Sequence, residues 1–329
     1  MHLRSLPDST GILVPLKRTN SHRIHVVYTA LLGTLLSLLI VSVPVYPVNE
    51  VTGWAVIIEM NDFPEGYGDI NISFLNTKRL VDALIELGWS DDQIHRWNEP
   101  VTRENLSTML NWLDDRAERD DIALLYIFTH GSWISKVLSW NEWVPDRLDG
   151  MKARSKMIIV DSCNSGAFIS PFTDSSRGGV YLSACSAGQV SWAGLEEEGL
   201  PILGSVWTYY FVNALTSPIA DVNSDGWVSV EEAFNSSVPL THSYMMDEVF
   251  TVPEFLQMYH DIGVYPAKEG NYPNPFIVDK HPGQLVLDLS FYVSEELLPI
   301  FALLLLLYGI RKVNYKLMLP VTIASDALI

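Results

Sequence analysis

The sequence predicts an α/β fold in which a mostly parallel sheet is flanked by helices on both faces. Short apolar runs bounded by turn residues indicate buried parallel strands. Between these runs, apolar residues recur three and four positions apart, which is the spacing of one helix face. Strands that alternate with such helices form βαβ units and therefore a parallel sheet.

The elements are predicted in chain order from these two patterns. Five strands are expected, at residues 54–58, 94–97, 122–128, 157–160 and 180–183. The first helix covers 74–87, where Gly88 ends the apolar stripe. The second contains Leu106, Met109, Leu110 and Leu113, and Thr102 is its expected N-cap. A third helix is expected at 205–215 after the last strand.

A cysteine and a histidine follow two of the predicted strands. Cys163 lies in the loop after 157–160, and His130 lies in the loop after 122–128. The carboxyl ends of parallel strands meet at one edge of a sheet, where ligands bind, so we expect the two side chains to be neighbours. An imidazole beside a thiol promotes thiolate formation and nucleophilic catalysis. The alternative is a buried structural cysteine and an unrelated loop histidine.

The segments FTHGS (128–132) and VDSCNSG (160–166) resemble the motifs of the caspase-like cysteine peptidases, which include caspases, metacaspases, legumains and gingipains. DSCNSG is most similar to metacaspases and legumain-type enzymes, and YLSACSAGQVSWAG (181–194) is similar to their next strand and pocket segment. The resemblance covers roughly 53–265. It implies a caspase-like fold, Cys163 as nucleophile and His130 as the proton donor to the leaving amine. It also implies that the backbone N–H groups of Gly131 and Cys163 hold the oxyanion, with Gly131 leaving room for the approaching carbonyl.

The resemblance also implies a pocket for the residue before the scissile bond, called P1. The acid two positions before the nucleophile, Asp161, is expected to point into this pocket, with Asp62 and Ser183 lining it. Carboxylates there suit an arginine or lysine side chain. Phe128, where metacaspases often have a small polar residue, is expected to narrow the pocket. Alternatively, Asp161 only caps its own loop.

Residues 221–232, DVNSDGWVSVEE, match the spacing of an EF-hand calcium loop. Oxygen ligands are expected at loop positions 1, 3, 5, 7, 9 and 12, and the glycine at position 6, Gly226, allows the sharp turn. The corresponding residues are Asp221, Asn223, Asp225, Trp227 through its carbonyl, Ser229 through water, and Glu232. Bound Ca²⁺ is therefore expected, with no organic cofactor, and the alternative is an acidic turn.

Two apolar segments flank the predicted peptidase domain at 47–290. Residues 26–46 carry no charge and are long enough to cross a bilayer. Residues 297–310 are shorter, with basic residues after them, and we interpret them as a second transmembrane helix. Basic residues in 1–25 and 311–329 predict cytoplasmic tails, which leaves the domain on the extracytoplasmic side of the cell membrane. A cleaved signal peptide and a buried C-terminal helix are the respective alternatives.

Residues 47–289 contain 35 acidic and 14 basic side chains, a net charge of −21. Such a surface repels phosphate backbones, so nucleic-acid binding is excluded as the expected function, and peptide or protein substrates and the bilayer are the expected partners. A serine hydrolase is disfavoured because neither Ser162 nor Ser165 lies in a G-x-S-x-G motif. A calcium-binding surface or adhesion module on an inactive peptidase fold remains the rival hypothesis. Oligomeric state is left open by the sequence.

Overall fold

The computed structural model describes residues 51–70, 72–174, 178–261 and 273–291. Its main sheet has six strands in the order β2-β1-β3-β4-β5-β8, all parallel except β8. The strands are β1 (Gly53–Glu59), β2 (Ile94–Trp97), β3 (Ile122–Phe128), β4 (Ser155–Asp161), β5 (Val180–Ser183) and β8 (Phe276–Asp279). A separate two-stranded ladder pairs β6 (Ala193–Gly194) with β7 (Gly204–Ser205).

Eight α-helices connect or flank these strands within the described residues. They are α1 (Leu75–Glu86), α2 (Arg103–Arg116), α3 (Gly131–Lys136), α4 (Trp140–Asp149), α5 (Gly166–Ile169), α6 (Val206–Leu215), α7 (Val230–Tyr244) and α8 (Pro253–Asp261). The predicted N-cap of α2 is confirmed, because the Thr102 side chain accepts a hydrogen bond from the amide of Asn105. The five predicted strands and three predicted helices are therefore confirmed, whereas β8 and the helices α3, α4, α5, α7 and α8 were not predicted.

The apolar runs form strands because both faces of the sheet are covered. All seven residues of β3 are buried, and β4 is buried from its second residue onward. Side chains alternate between faces along a strand, so each run contributes to two cores. Ile57, Tyr126 and Ile159 pack in one core with α1, α6 and α7, whereas Ile58 and Val160 pack in the other with α2 and α4.

The sheet register brings two loops to the same edge. Phe128, the last residue of β3, lies opposite Asp161, the last residue of β4. His130 and Cys163 each follow two residues later, in the loops that begin α3 and α5. The prediction that these two strands are neighbours is therefore confirmed.

The expected membrane segments at 26–46 and 297–310 lie outside the described residues. In the four ranges that are described, no helix has the length and apolar composition needed to cross a bilayer.

Candidate active site

The His130 side chain is held by the loop that follows β1. Its Nε2 lies 2.7 Å from the carbonyl oxygen of Gly68. A carbonyl only accepts hydrogen bonds, so Nε2 carries the proton and Nδ1 is left as the basic nitrogen. The ring also packs against Phe63, with centroids 4.6 Å apart, and near Tyr67, at 6.4 Å. The backbone carbonyl of Gly68 thus does the orienting that a third side chain does in other sites.

The turn that carries Cys163 is tightly braced. The next residue, Asn164, has a φ of 60°, a left-handed conformation that asparagine adopts more readily than most residues. Its amide donates to the carbonyl of Gln189 at 2.7 Å, and the amide of Gly166 donates to the carbonyl of Cys185 at 2.9 Å. These bonds fix the backbone on the C-terminal side of the thiol and hold Cys163 at the sheet edge.

Burial raises the pKa of the Cys163 thiol, and hydrogen bonds with Ser191 lower it by less. Within the described residues, no hydrogen bond joins the thiol to the His130 imidazole. Because desolvation disfavours the charged form, this shift favours a neutral thiol at rest. Thiolate formation by the Cys–His pair stays a prediction.

The two loops touch through their backbones. A Cβ atom built on Gly131 would lie 2.0 Å from the carbonyl oxygen of Cys163. Glycine is thus required here by the Cys163 backbone. The expected reason, that a side chain would also obstruct the substrate, stays a prediction. Within the described residues, the amide of Gly131 donates to no acceptor, and the amide of Cys163 bonds to its own thiol. These two N–H groups lie in adjoining turns and are suited to an oxyanion.

Asp161 is fully buried beneath this edge. Its Oδ2 accepts hydrogen bonds from the hydroxyls of Tyr126, at 3.2 Å, and Thr208. Its Oδ1 has no hydrogen-bond partner among the described residues. Burial raises the pKa of Asp161 to about 6, against hydrogen bonds from Ser205, Thr208 and Tyr126 that lower it. Asp161 does more than cap its loop, because its side chain reaches across the sheet face to α6.

A second buried acid, Glu59, lies in the same row of the sheet. Glu59 pairs in register with Phe128, which pairs with Asp161, so all three side chains face α1 and α6. Glu59 Oε2 accepts from the amide of Thr77 at 2.6 Å, while Oε1 has no partner among the described residues. Burial is the main cause that raises the pKa of Glu59, and the nearby charge of Asp161 adds to it. Phe128 fills the space between the two carboxylates.

Sequence reasoning missed Glu59, although one signal was available. Like Asp161, it is an acid that directly ends an apolar strand.

Arg79 of α1 has a lowered pKa, chiefly from burial, and its Nη1 donates to the carbonyl of Leu203 at 2.6 Å. Within the described residues, Arg79 forms no ion pair with either carboxylate.

The other two expected pocket residues are not brought to Asp161. Ser183 pairs in register with Val160, so its side chain lies on the opposite face of the sheet from Asp161. There its hydroxyl donates to the carbonyls of Cys185 and Phe276. Asp62 is exposed in the loop after β1 and makes no contact with Asp161 among the described residues. Alternation along the strands explains the first difference, and the exposed loop position of Asp62 explains the second.

The predicted calcium loop folds as a compact turn before α7. Asp221 accepts from the amides of Asp225 and Gly226, at 3.1 and 2.9 Å, and Asn223 accepts from the amide of Asp225 at 2.8 Å. Asp225 itself accepts from the amide of Trp227 at 2.9 Å. Gly226 has a φ of 93°, which is the conformation that the sharp turn needs. The side chains at positions 1, 3 and 5 are thus directed at the loop's own backbone.

Glu232 closes the same loop from the first turn of α7. Its Oε1 accepts from the amides of Val222 and Asn223, both at 3.2 Å, and its Oε2 accepts from the amide and hydroxyl of Ser229, both at 3.0 Å. No cluster of three or more metal-binding side chains is found in the described part of the chain. The donor set fits calcium in kind and spacing, but Glu232 must release these bonds to become a ligand.

Comparisons with known proteins find similarity to caspases, both in a family model and among solved structures. Residues 52–239, more than half of the chain, match the family model of the caspase domain. Among solved structures, the caspase-1 of Spodoptera frugiperda is similar with a TM-score of 0.48 and 13% sequence identity, covering 72% of this chain and 90% of that chain. No curated protein matches the sequence.

Proposed function

Because the chain belongs to the caspase domain family, whose members are cysteine-type endopeptidases, we propose that it cleaves peptide bonds through Cys163 and His130. The observation that carries the proposal is that both residues follow adjacent parallel strands, with the Nε2 of His130 bonded to Gly68. This bond keeps Nδ1 unprotonated, so the imidazole is available as a base.

The reaction proceeds in two stages. Cys163 Sγ attacks the scissile carbonyl carbon while its proton passes to His130 Nδ1, and the amides of Gly131 and Cys163 hold the oxyanion. His130 then gives that proton to the leaving amine, the C–N bond breaks, and a thioester remains. Water, deprotonated by the same nitrogen, hydrolyses the thioester and restores the thiol.

We propose a basic P1 residue, in the manner of metacaspases. Asp161 and Glu59 face the same side of the sheet, and each has one carboxylate oxygen without a partner among the described residues. An arginine side chain would supply donors to these carboxylates only if Phe128, which lies between them, and the groups that cover both buried side chains moved aside. In this proposal Glu59 takes the role that the sequence had suggested for Asp62.

The experiment compares fluorogenic peptides that differ only in an arginine or an asparagine at P1. Wild-type protein is expected to cleave the arginine peptide, and Cys163→Ala protein to cleave neither. Asp161→Asn and Glu59→Gln are each expected to lower kcat/KM for arginine by at least about tenfold, the loss expected for a charge-assisted hydrogen bond. Preference for asparagine in the wild type would contradict the basic pocket.

The same fluorogenic peptides, together with a thiol-reactive probe, test the rival function, an inactive calcium-binding surface or adhesion module. A thiol-reactive peptide probe should label Cys163 in an enzyme and leave it unlabelled in an inactive relative. Absence of both labelling and turnover, with or without calcium, would favour the rival.

We also propose that the loop at 221–232 binds Ca²⁺. Support comes from the EF-hand spacing and from the turn that Gly226 allows. Asp221, Asn223, Asp225 and Glu232 would hold the ion with side-chain oxygens, while Trp227 would contribute its carbonyl and Ser229 would act through water. The ion would join the start of α7 to the preceding segment and so stabilise the domain.

Anchoring in the cell membrane is proposed from composition alone. Residues 26–46 and 297–310 would each cross the bilayer and leave the peptidase domain on the extracytoplasmic side. The chain should then remain in the membrane fraction after a carbonate wash, and external protease should digest the domain in intact cells. Recovery of a soluble, N-terminally trimmed form would contradict the first anchor.

A further inference from the structure

A groove of about 650 Å³ lies at the end of β4 opposite the Cys163 loop. Four basic side chains line it, those of Arg119, Lys152, Arg154 and Lys156, together with one acid, Glu118. β4 has seven residues and so is roughly 23 Å long, which keeps the groove well away from the proposed catalytic residues. Nothing in the proposed peptidase mechanism uses it.

The charge of this groove is opposite to that of the domain around it. Residues 47–289 carry 35 acidic and only 14 basic side chains, yet four of those bases meet here against a single acid. Like charges repel, so a cluster of this kind costs free energy unless an anion is bound nearby. The distribution therefore points to an anionic ligand.

The arginines of the groove also differ from the others in the described residues. Five arginines elsewhere each have a carboxylate, carbonyl or aromatic partner: Arg79, Arg96, Arg103, Arg116 and Arg147. The side chains of Arg119 and Arg154 form no hydrogen bond, ion pair or ring contact in the part of the chain that the structure describes. Both are exposed, and both line the groove. Their donors are available to a ligand.

Lys156 differs from the other three basic residues. Its side chain lines the groove but is fully buried, in the second position of β4. Burial disfavours the charged form of a lysine, and a bound anion would favour it. The groove thus combines a buried lysine with two exposed arginines.

We propose that this groove binds a small ligand with two or more phosphate groups. The planar guanidinium group of an arginine can donate two parallel hydrogen bonds to phosphate oxygens, and several cations together suit a multiply charged group. The volume is in the range of small-molecule sites. The net charge of −21 opposes a long polyanion such as nucleic acid, whose backbone would extend over the acidic surface. The phosphates come either from a soluble compound or from a lipid head group.

The test uses the full-length protein and two probes, soluble tripolyphosphate and vesicles that contain phosphatidylinositol bisphosphate. Saturable binding that weakens with added salt is expected for at least one probe. Arg119→Ala and Arg154→Ala should each reduce affinity at least about tenfold, and the double variant should abolish binding. Lys136→Ala removes an exposed base outside the groove and serves as the matched control, with unchanged affinity expected.

The two probes distinguish the sources of the phosphates. Binding of tripolyphosphate supports a soluble ligand, and binding of the vesicles alone supports a lipid head group. In each case the double variant must lose the binding that the wild type shows. Both arginines are exposed and have no side-chain partner among the described residues, so the melting temperature of the variants without ligand should match that of the wild type. Binding of neither probe, or equal binding by the double variant and wild type, would overturn the proposal.

Discussion

A methyl group on Gly131 would lie 2.0 Å from the carbonyl oxygen of Cys163. This distance is far below any van der Waals contact, and the obstacle is backbone, which cannot rotate away. The loops that carry His130 and Cys163 are therefore positioned by direct backbone packing. The geometry of the proposed dyad depends on this one contact as much as on the two side chains.

Gly131→Ala should lower kcat/KM about a hundredfold or more while the protein stays folded. The added methyl group must push the Cys163 turn aside, and a displacement of about 1 Å from the reacting geometry has a cost of this size. Peptide turnover and a thermal melt measure the two effects. Ser132→Ala, which also places an alanine in this turn but at the next, exposed residue, is the control. Wild-type turnover in the Gly131→Ala protein would show that the contact does not position the nucleophile.

The alkylation rate of Cys163 should report a protonated thiol. Because burial raises its pKa above the ordinary value, iodoacetamide labelling should be slow at neutral pH and rise only in the alkaline range. The experiment follows the labelling rate against pH in a Cys185→Ala background, so that only Cys163 can react. Burial also raises the pKa of Cys185, to about 12, so its labelling would otherwise add to the rate in the alkaline range. A rate that is already constant near neutral pH would instead indicate a thiolate–imidazolium pair at rest.

Asp161 should make stability fall as the pH rises. Its pKa in the folded protein is about 6, above the ordinary aspartate value of 3.8, so the folded state binds the proton more tightly than the unfolded state does. The stabilisation is complete below the unfolded pKa and is lost as the pH rises through the folded one. Two pKa units correspond to about 3 kcal/mol.

Asp161→Asn removes this dependence. Relative to wild type, the variant should gain up to about 3 kcal/mol of unfolding free energy between about pH 4 and about pH 7, as measured by denaturant titration. Asp62→Asn, an exposed acid from the nearby loop, controls for the loss of one charge. If the unfolding free energies of wild type and variant differ by the same amount at both pH values, protonation of Asp161 is not coupled to folding.

Calcium should stabilise wild-type protein and fail to stabilise Asp225→Ala. Binding to the native state adds RT ln(1 + [L]/Kd), or about 2.7 kcal/mol at one hundred times Kd. Thermal melts with calcium and with a chelator measure the shift. Asp92→Ala, an exposed acid outside the loop, should keep the full shift. The same calcium-induced shift in Asp225→Ala and wild type would show that the loop does not bind the ion.

Local sequence was sufficient for the elements themselves. The runs at 122–128 and 157–160 predict buried strands because neither face contains a charged residue, and Thr102 can satisfy a free amide at the start of α2. The positions of Cys163 and His130 after such strands, with small residues beside them, indicated a common edge. These inferences need only the chemistry of neighbouring residues.

Tertiary structure decided which side chains meet. The register of β1, β3 and β4 places Glu59 and Asp161 on one face and Ser183 on the other, and a shift of one residue would exchange the faces. The bond from His130 to the carbonyl of Gly68 depends on the path of a loop, and a backbone carbonyl has no residue type by which a sequence could reveal it. The grouping of Arg119 and Arg154 likewise depends on how the chain returns to the start of β4, because contacts between distant segments are set by packing and not by local pattern.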